Sequence, residues 1–362
     1  MNVYRIAAPL LLMPLLLYAG GCERPPTANK PDTAAEDDTA RQDREQGLAR
    51  VKHARDVMGT FAEVTAYDQD RETARRAVEA AYARLDDVNR LMSDYTDQSE
   101  IGRLNGLRAN EHLVVSPETF HSLQEAARIA ELSGGAFDVT CRPLVRLWKR
   151  AGKTNRLPTE AELAAVRQRI GWQNLKLDPE TQTVTPMVDG LQVDLGGIAK
   201  GYALDLAAEA MQRAGVTRGL VDVGGDVRVV GPKPDESPWR IGVRHPLRGN
   251  EEMFCVLEVK EGAVATSGPQ FRYVEIEGKR YSHIVDPRTG RPAEQASSVT
   301  VIAPDGLTAD AWATVFSVLT ATEGQAMLDR GVVTGVEVLW ILDDHGKIVT
   351  HQTPGFAAYI RK

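Results

Sequence analysis

An α+β fold is expected for this chain: two lobes meeting at a cleft, built from mixed or antiparallel sheets with flanking helices. Three observations lead there. Apolar residues recur at helical spacing early in the chain, short strand-like runs crowd its second half, and no low-complexity break interrupts the sequence after about residue 50. Helices gathered first and strands later describe α+β rather than alternating βαβ units. The uninterrupted part is roughly twice an ordinary domain in length, which one unit of two lobes accounts for.

Residues 1–21 read as an export signal. Arg5 supplies a basic start, 6–17 is apolar, and Tyr18-Ala19-Gly20-Gly21 leads into Cys22 with the small residues of a lipobox. Cys22 would then be the lipidated mature N-terminus, and two or more acyl chains on it would tether the protein to a membrane. Ala19 stands where the usual lipobox has Leu, Val or Ile. A plain secretory signal or an uncleaved anchor therefore stays open, although the apolar run is short and broken by Pro9 and Pro14. The expected location is the periplasmic side of a bacterial cell membrane, and Glu23 in place of aspartate favours the outer membrane. Residues 22–50 hold hardly any large apolar side chain and read as a flexible tether, leaving 51–362 as the folded region.

Within that region, Val78, Ala81, Tyr82, Leu85, Val88 and Met92 give 73–92 the spacing of an amphipathic helix. Ser116-Pro117 ahead of Phe120, Leu123, Ala127 and Ala130 starts a second, with serine at the N-cap and proline at the first helical position. Residues 202–211 continue a glycine-rich segment with helical spacing. Strands are expected at 219–223 and 227–230 with Gly224-Gly225-Asp226 as the turn between them, and further on at 239–243, 254–259, 272–276, 298–302 and 336–341.

Composition removes several classes of function. The formal net charge is -7 and no basic run is long enough to track a nucleic-acid backbone, so nucleic acid is not an expected partner. No CxxC, HExxH or Cys/His zinc spacing occurs, nor a GxGxxG fingerprint or a Walker A loop. Of the three cysteines, Cys141 and Cys255 lie in the folded region, and either a disulfide or two buried thiols is compatible with the sequence.

The stretch that carries most information is Asp194-Leu195-Gly196-Gly197-Ile198-Ala199-Lys200-Gly201. Two residues without Cβ allow close backbone approach at a helix start, where N–H groups and the helix dipole favour anions, and Lys200 adds a positive charge. Asp194 could accept ligand hydrogen bonds or organise a metal shell. Glycines serving packing alone remain the alternative. Further on, Asp310 and Thr314 stand four residues apart in an apparent helix, so their oxygens share a face and suit Mg²⁺; the ordinary reading is a first-turn acid and a threonine bonded to its own helix. His283 is the candidate for proton transfer because imidazole titrates near neutrality, with Asp286 or Arg288 as possible partners and a purely structural histidine as the alternative.

Taken in order, Met58-Gly59-Thr60, Gly135-Ala136-Phe137-Asp138, residues 194–202, Val223-Gly224-Gly225-Asp226, Ala265-Thr266-Ser267-Gly268, residues 281–290 and Ala309-Asp310-Ala311-Trp312-Ala313-Thr314 closely resemble the ApbE family of FAD:protein FMN transferases. The resemblance runs from about residue 57 to the C-terminus. It implies FAD in the cleft between lobes, bound by Met58, Tyr95, Ala136, Phe137, Asp138, Asp194, Lys200 and Ile284, with residues 265–268 as a loop lining the flavin. It also implies Mg²⁺ on Asp310, Thr314 and the Gly197 carbonyl, with Ala313 contributing through its backbone, and a catalytic role for His283; whether His283 or Asp286 accepts the proton stays open.

The implied reaction is Mg²⁺-dependent transfer of FMN from FAD to a threonine or serine hydroxyl of a target protein, with release of AMP. Two alternatives are an FAD pyrophosphatase, with water as the acceptor, and a non-catalytic FAD-binding lipoprotein. Targets implied by the resemblance are flavoprotein subunits of the Na⁺-translocating NADH:quinone reductase, of Rnf-type complexes, or of nitrous oxide reduction and extracellular reductase systems.

Overall fold

The computed structural model describes residues 47–248, 252–268, 273–294 and 296–361. The expected signal segment, Cys22 and most of the expected tether lie outside the described residues.

The described chain opens on a hairpin in which β1 (Ala49–Val57) pairs antiparallel with β2 (Thr60–Asp68) around Met58-Gly59. Ala49 and Arg50 already pair with Asp68 and Tyr67, so the boundary expected after residue 50 falls slightly earlier. β1 escapes sequence reading because it is an edge strand rich in Arg, Lys and His, the usual protection of an unpaired edge. Next, α1 (Arg71–Met92) is capped by Asp70, whose carboxylate accepts from Glu72 and Thr73 N–H, and buries Val78, Ala81, Leu85 and Val88 as their spacing requires. Then follow α2 (Glu100–Leu104), β3 (Leu113–Val114) and α3 (Pro117–Leu132), the last starting as expected, with Ser116 Oγ accepting from Thr119 N–H. α4 (Arg142–Thr154), α5 (Glu160–Arg167), β4 (Leu175–Asp178) and β5 (Thr183–Pro186) come before α6 (Ala199–Arg213).

The strand-rich half contains β6 (Arg218–Val223), β7 (Asp226–Val230), β8 (Trp239–Arg244), β9 (Met253–Val259) and β10 (Gly262–Ser267). These lead to β11 (Tyr273–Ile276), β12 (Lys279–Ser282), β13 (Val285–Asp286), β14 (Arg291–Pro292) and β15 (Ser298–Ala303). The chain closes with α7 (Gly306–Val318), α8 (Ala321–Asp329), β16 (Glu337–Asp344) and β17 (Lys347–Gln352). The main sheet runs β1-β2-β6-β7-β10-β15-β16-β17, with every adjacent pair antiparallel.

Both faces of this sheet are covered, and the two-residue period of a strand sorts the side chains between them. Ala263, Ala265, Val299, Val301, Val338 and Trp340 face the helical layer of α1, α6 and α7, while Val264, Ile302, Leu339 and Ile341 face β8, β9 and Phe356. This explains why β15 is buried at every position. α7 is buried nearly all round, with Trp312 and Phe316 stacked at 5.4 Å and Phe316 against Trp340 at 5.4 Å.

One expectation is corrected here. Residues 265–267 are strand rather than loop: Ala265, Thr266 and Ser267 pair with Val301, Thr300 and Val299 in the middle of the sheet. Their small side chains, poor strand signals in isolation, suit the sheet face that α7 packs against. The β6–β7 turn is likewise tighter than expected, because Asp226 already pairs with Val223 and only Gly224 and Gly225 make the turn. Cys141 and Cys255 are both free thiols. Among the described residues, no helix is long and apolar enough to cross a membrane.

Candidate active site

Two tight turns lie together at one end of the sheet. Gly224 N–H donates to Phe61 O at 2.9 Å, which sets the β6–β7 turn beside the β1–β2 turn. Met58 holds a φ of 53°, a left-handed backbone uncommon outside glycine, and such strain persists where surrounding structure imposes it. The first residue after the glycine pair, Asp226, is only 4% exposed.

The glycine-rich turn ahead of α6 is pinned at both ends. Asp194 Oδ1 accepts from Gly196 N–H at 2.8 Å, and Asp194 N–H donates to Val139 O at 2.8 Å, joining the turn to the segment that begins at Ala136. Burial, with Asp94 nearby, raises the Asp194 carboxyl above its ordinary value. α6 then starts at Ile198 with no side-chain cap of its own. The carboxylate of Asp310, reaching across from α7, supplies one, its Oδ2 accepting from Gly201 N–H at 3.0 Å.

That contact is possible because α6 and α7 cross with almost nothing between them. A Cβ on Gly201 would run into the Gly306 carbonyl and stand 2.8 Å from Asp310 Cβ. Asp205, one turn further along α6, accepts from Gly306 N–H at 2.7 Å and from Leu307 N–H at 2.9 Å, capping α7 in return. The same close approach brings Gly197 to Thr314: a Cβ on Gly197 would lie 3.0 Å from Thr314 Oγ1 and 3.2 Å from Phe137 Cε2. Thr314 Oγ1 also donates to Asp310 O at 3.2 Å, so the ordinary helix back-bond and the shared face occur together.

Lys200 lies between two acids. Its Nζ contacts Asp226 Oδ2 and is 3.2 Å from Asp310 Oδ1, while Asp226 Oδ1 accepts from Thr266 N–H at 3.1 Å. Burial works against the ammonium, but the two carboxylates outweigh it and hold the Lys200 pKa above that of ordinary lysine. Burial pushes Asp226 upward, against the pull of Lys200. Two nearly buried carboxylates share a single ammonium, so this corner carries an unbalanced negative charge.

Residues 282–290 wall a cavity of their own. His283 sits half-buried at the bend between β12 and β13, and Ser282 Oγ accepts from Ile284 N–H at 3.0 Å. Ile284 packs against the main core. The turn is anchored by Trp148 Nε1, which donates to Gly290 O at 2.9 Å, and a Cβ on Gly135 would meet Arg288 Cγ at 3.7 Å, so this wall borders the segment of Ala136 and Phe137. The cavity, of about 400 Å³, is walled in part by Trp148, Tyr281, Asp286 and Val318; none of Gly197, Lys200, Asp310 or Thr314 lines it.

Three of the expected site residues are also engaged within the protein. Asp286 has both oxygens engaged by Arg288, which donates from its backbone N–H, Nε and Nη2 at 2.9 Å each and so ties the turn together. Ala313 is fully buried and its carbonyl accepts from Ser317 Oγ at 2.8 Å. Both carboxylate oxygens of Asp138 are used within the protein, by Thr140 N–H and Oγ1 and by Trp172 N–H. Tyr95 is 82% exposed, with its neighbour Asp94 held by Arg142 Nε at 2.9 Å.

The remaining oxygens suit a hard cation. Among the described residues no three His, Cys, Asp or Glu side chains are grouped to hold a metal, so a cation here would take mixed donors: the Asp310 carboxylate, the Thr314 hydroxyl and the Gly197 carbonyl. The unbalanced negative charge beside them fits such an ion.

A family model described as the ApbE family matches residues 58–340. The chain belongs to the ApbE family. It is 32% identical over 357 residues to the FAD:protein FMN transferase of Vibrio cholerae serotype O1, covering 98% of this chain and 99% of the relative. The FAD:protein FMN transferase of Salmonella typhimurium is 32% identical over 84% of this chain and 87% of its own length. The crystal structure of an ApbE protein from Thermotoga maritima superposes with a TM-score of 0.78 at 33% identity, covering 87% of this chain and all of that one. The flavin transferase ApbE of Vibrio cholerae gives 0.74 at 32% identity over 86% and 99%. Within this ApbE chain, sequence reading assigned no role to Asp226 or Asp205. Asp226 directly after two turn glycines reads as a solvated turn acid, and nothing local shows that it is buried.

Proposed function

We propose that this ApbE-family chain transfers FMN from FAD to a threonine or serine hydroxyl of a target protein. The acceptor oxygen forms a bond to the FMN-side phosphorus, the bond from that phosphorus to AMP breaks, and AMP leaves. The observation that carries this reading is the close approach of Gly197 to Thr314 beside Asp310, three oxygen-bearing positions from α7 and the glycine turn held together at the start of α6.

Mg²⁺, when bound, neutralises the diphosphate and polarises the phosphorus under attack. Asp310, Thr314 and the Gly197 carbonyl would hold it. His283 takes the proton from the attacking hydroxyl; Asp286 leaves that task to it, being held by Arg288. Lys200 brings positive charge to the anionic flavin, and Met58, Tyr95 and Ile284 offer apolar and aromatic surface to its rings, with Phe137 packed behind the glycine turn. The relatives named FAD:protein FMN transferase support the reaction class. The protein would act from a lipid anchor on Cys22 at the periplasmic side of the membrane, on a redox-complex subunit.

The test is incubation with FAD, Mg²⁺ and a peptide bearing an acceptor threonine, followed by mass spectrometry. FMN-labelled peptide with stoichiometric AMP supports the proposal. Free FMN plus AMP with unlabelled peptide replaces it by hydrolysis, and intact FAD removes catalysis.

A further inference from the structure

We infer that Asp226 is a positioning residue that divides the Lys200 ammonium with Asp310, so that a divalent cation reaching Asp310 competes with a shared ammonium rather than with one paired to Asp310 alone. The inference rests on the Mg²⁺ assignment above and adds to it a residue that touches neither flavin nor metal. Both Asp310 oxygens have protein donors: Oδ2 accepts from Gly201 N–H at 3.0 Å and Oδ1 accepts from Lys200 Nζ at 3.2 Å. Without a second acid, the ammonium would sit wholly on Oδ1 and oppose a cation there undivided. Asp226 prevents this by position: it is the closer partner of Lys200, it is 4% exposed, and Thr266 N–H from β10 fixes its other oxygen at 3.1 Å. The strand pairing Val223↔Asp226 sets its backbone beside the glycine turn. An ammonium divided between two carboxylates is a weaker competitor for either than one paired with a single acid, and the second acid leaves the corner one negative charge in excess.

Mn²⁺ binding to the flavin-free full chain, counted by electron paramagnetic resonance, tests this without any reaction. Asp226→Asn keeps the acceptor for Thr266 N–H but releases Lys200, and should weaken Mn²⁺ by about tenfold or more. Lys200→Met removes the competitor and should tighten Mn²⁺ by a similar factor. In the double variant no ammonium remains to be placed, so Mn²⁺ should bind at least as tightly as to the parent, the non-additivity expected of two residues in contact.

Parent-like affinity in Asp226→Asn overturns the inference, as does weaker or unchanged affinity in Lys200→Met. Weak binding that persists in the double variant also overturns it, by making Asp226 a ligand. If Asp226→Asn fails to fold, the Lys200→Met measurement decides alone. Loss of the site in Asp310→Ala identifies which Mn²⁺ is being counted, so failure of the metal assignment is distinguishable from failure of the role given to Asp226.

Discussion

Replacing Gly201 by alanine should damage the site from a position that bears no functional group. The new Cβ would stand 2.8 Å from Asp310 Cβ and collide with the Gly306 carbonyl. Carbon–carbon contacts settle near 3.5–4.0 Å, so α7 must withdraw from α6 by roughly 1 Å. Overpacking of this kind costs about 1–3 kcal/mol. The withdrawal also carries Asp310 and Thr314 away from Gly197, and a misplacement of roughly 1 Å can cost on the order of 10² in rate. Urea unfolding measures the first effect and FMN transfer to an acceptor peptide the second. Gly106→Ala is the control, because its Cβ would meet only ordinary contacts, 3.4 Å from Arg103 O at the nearest. Should Gly201→Ala match the parent in both assays, the close α6–α7 crossing is not what assembles the site.

Gly197→Ala places a methyl 3.0 Å from Thr314 Oγ1 and should weaken Mg²⁺ activation more than it lowers stability; a parent-like Mg²⁺ titration would remove Gly197 from the ligand set. His283→Ala should retain FAD binding, read by flavin fluorescence, and lose about 10²-fold to 10⁴-fold in transfer, whereas parent-like transfer would end its assignment as the base. For Asp205, burial pushes the carboxyl up to about 6 from 3.8 despite two helix N–H donors. A carboxyl raised by folding stabilises the protein below its unfolded pKa, and that contribution is lost as pH rises through the folded value. Asp205 should therefore lower stability between about pH 4 and pH 6, by at most about 3 kcal/mol, and Asp205→Asn should flatten this part of the urea-midpoint profile. Identical profiles for parent and variant would refute the burial argument.

Much of the fold was legible because it is written locally. The spacing of Val78, Ala81, Leu85 and Val88 and the Ser116-Pro117 start each name a helix within a few residues, and both helices begin within two residues of their expected positions. β10 was not legible: Gly262-Ala263-Val264-Ala265-Thr266-Ser267 has small side chains suited to lying beneath α7, and that demand comes from a helix more than forty residues away. The site divides in the same manner. Asp310 and Thr314 share a face because helical periodicity puts them there, but the engagement of Asp286 by Arg288 and of the Ala313 carbonyl by Ser317 depends on how each segment turns and packs.

By itself, the sequence determined the α+β class, the helical spacing, the glycine turn ahead of α6 and the chemical kinds of residue gathered for an oxygen-ligated site. The tertiary structure alone decided that Lys200 stands between Asp226, 26 residues away, and Asp310, 110 residues away. Periodicity and capping act over one or two turns of chain, whereas burying two carboxylates around one ammonium depends on the packing of α6 against α7 and on the register of β7 with β10, which no single stretch of sequence specifies.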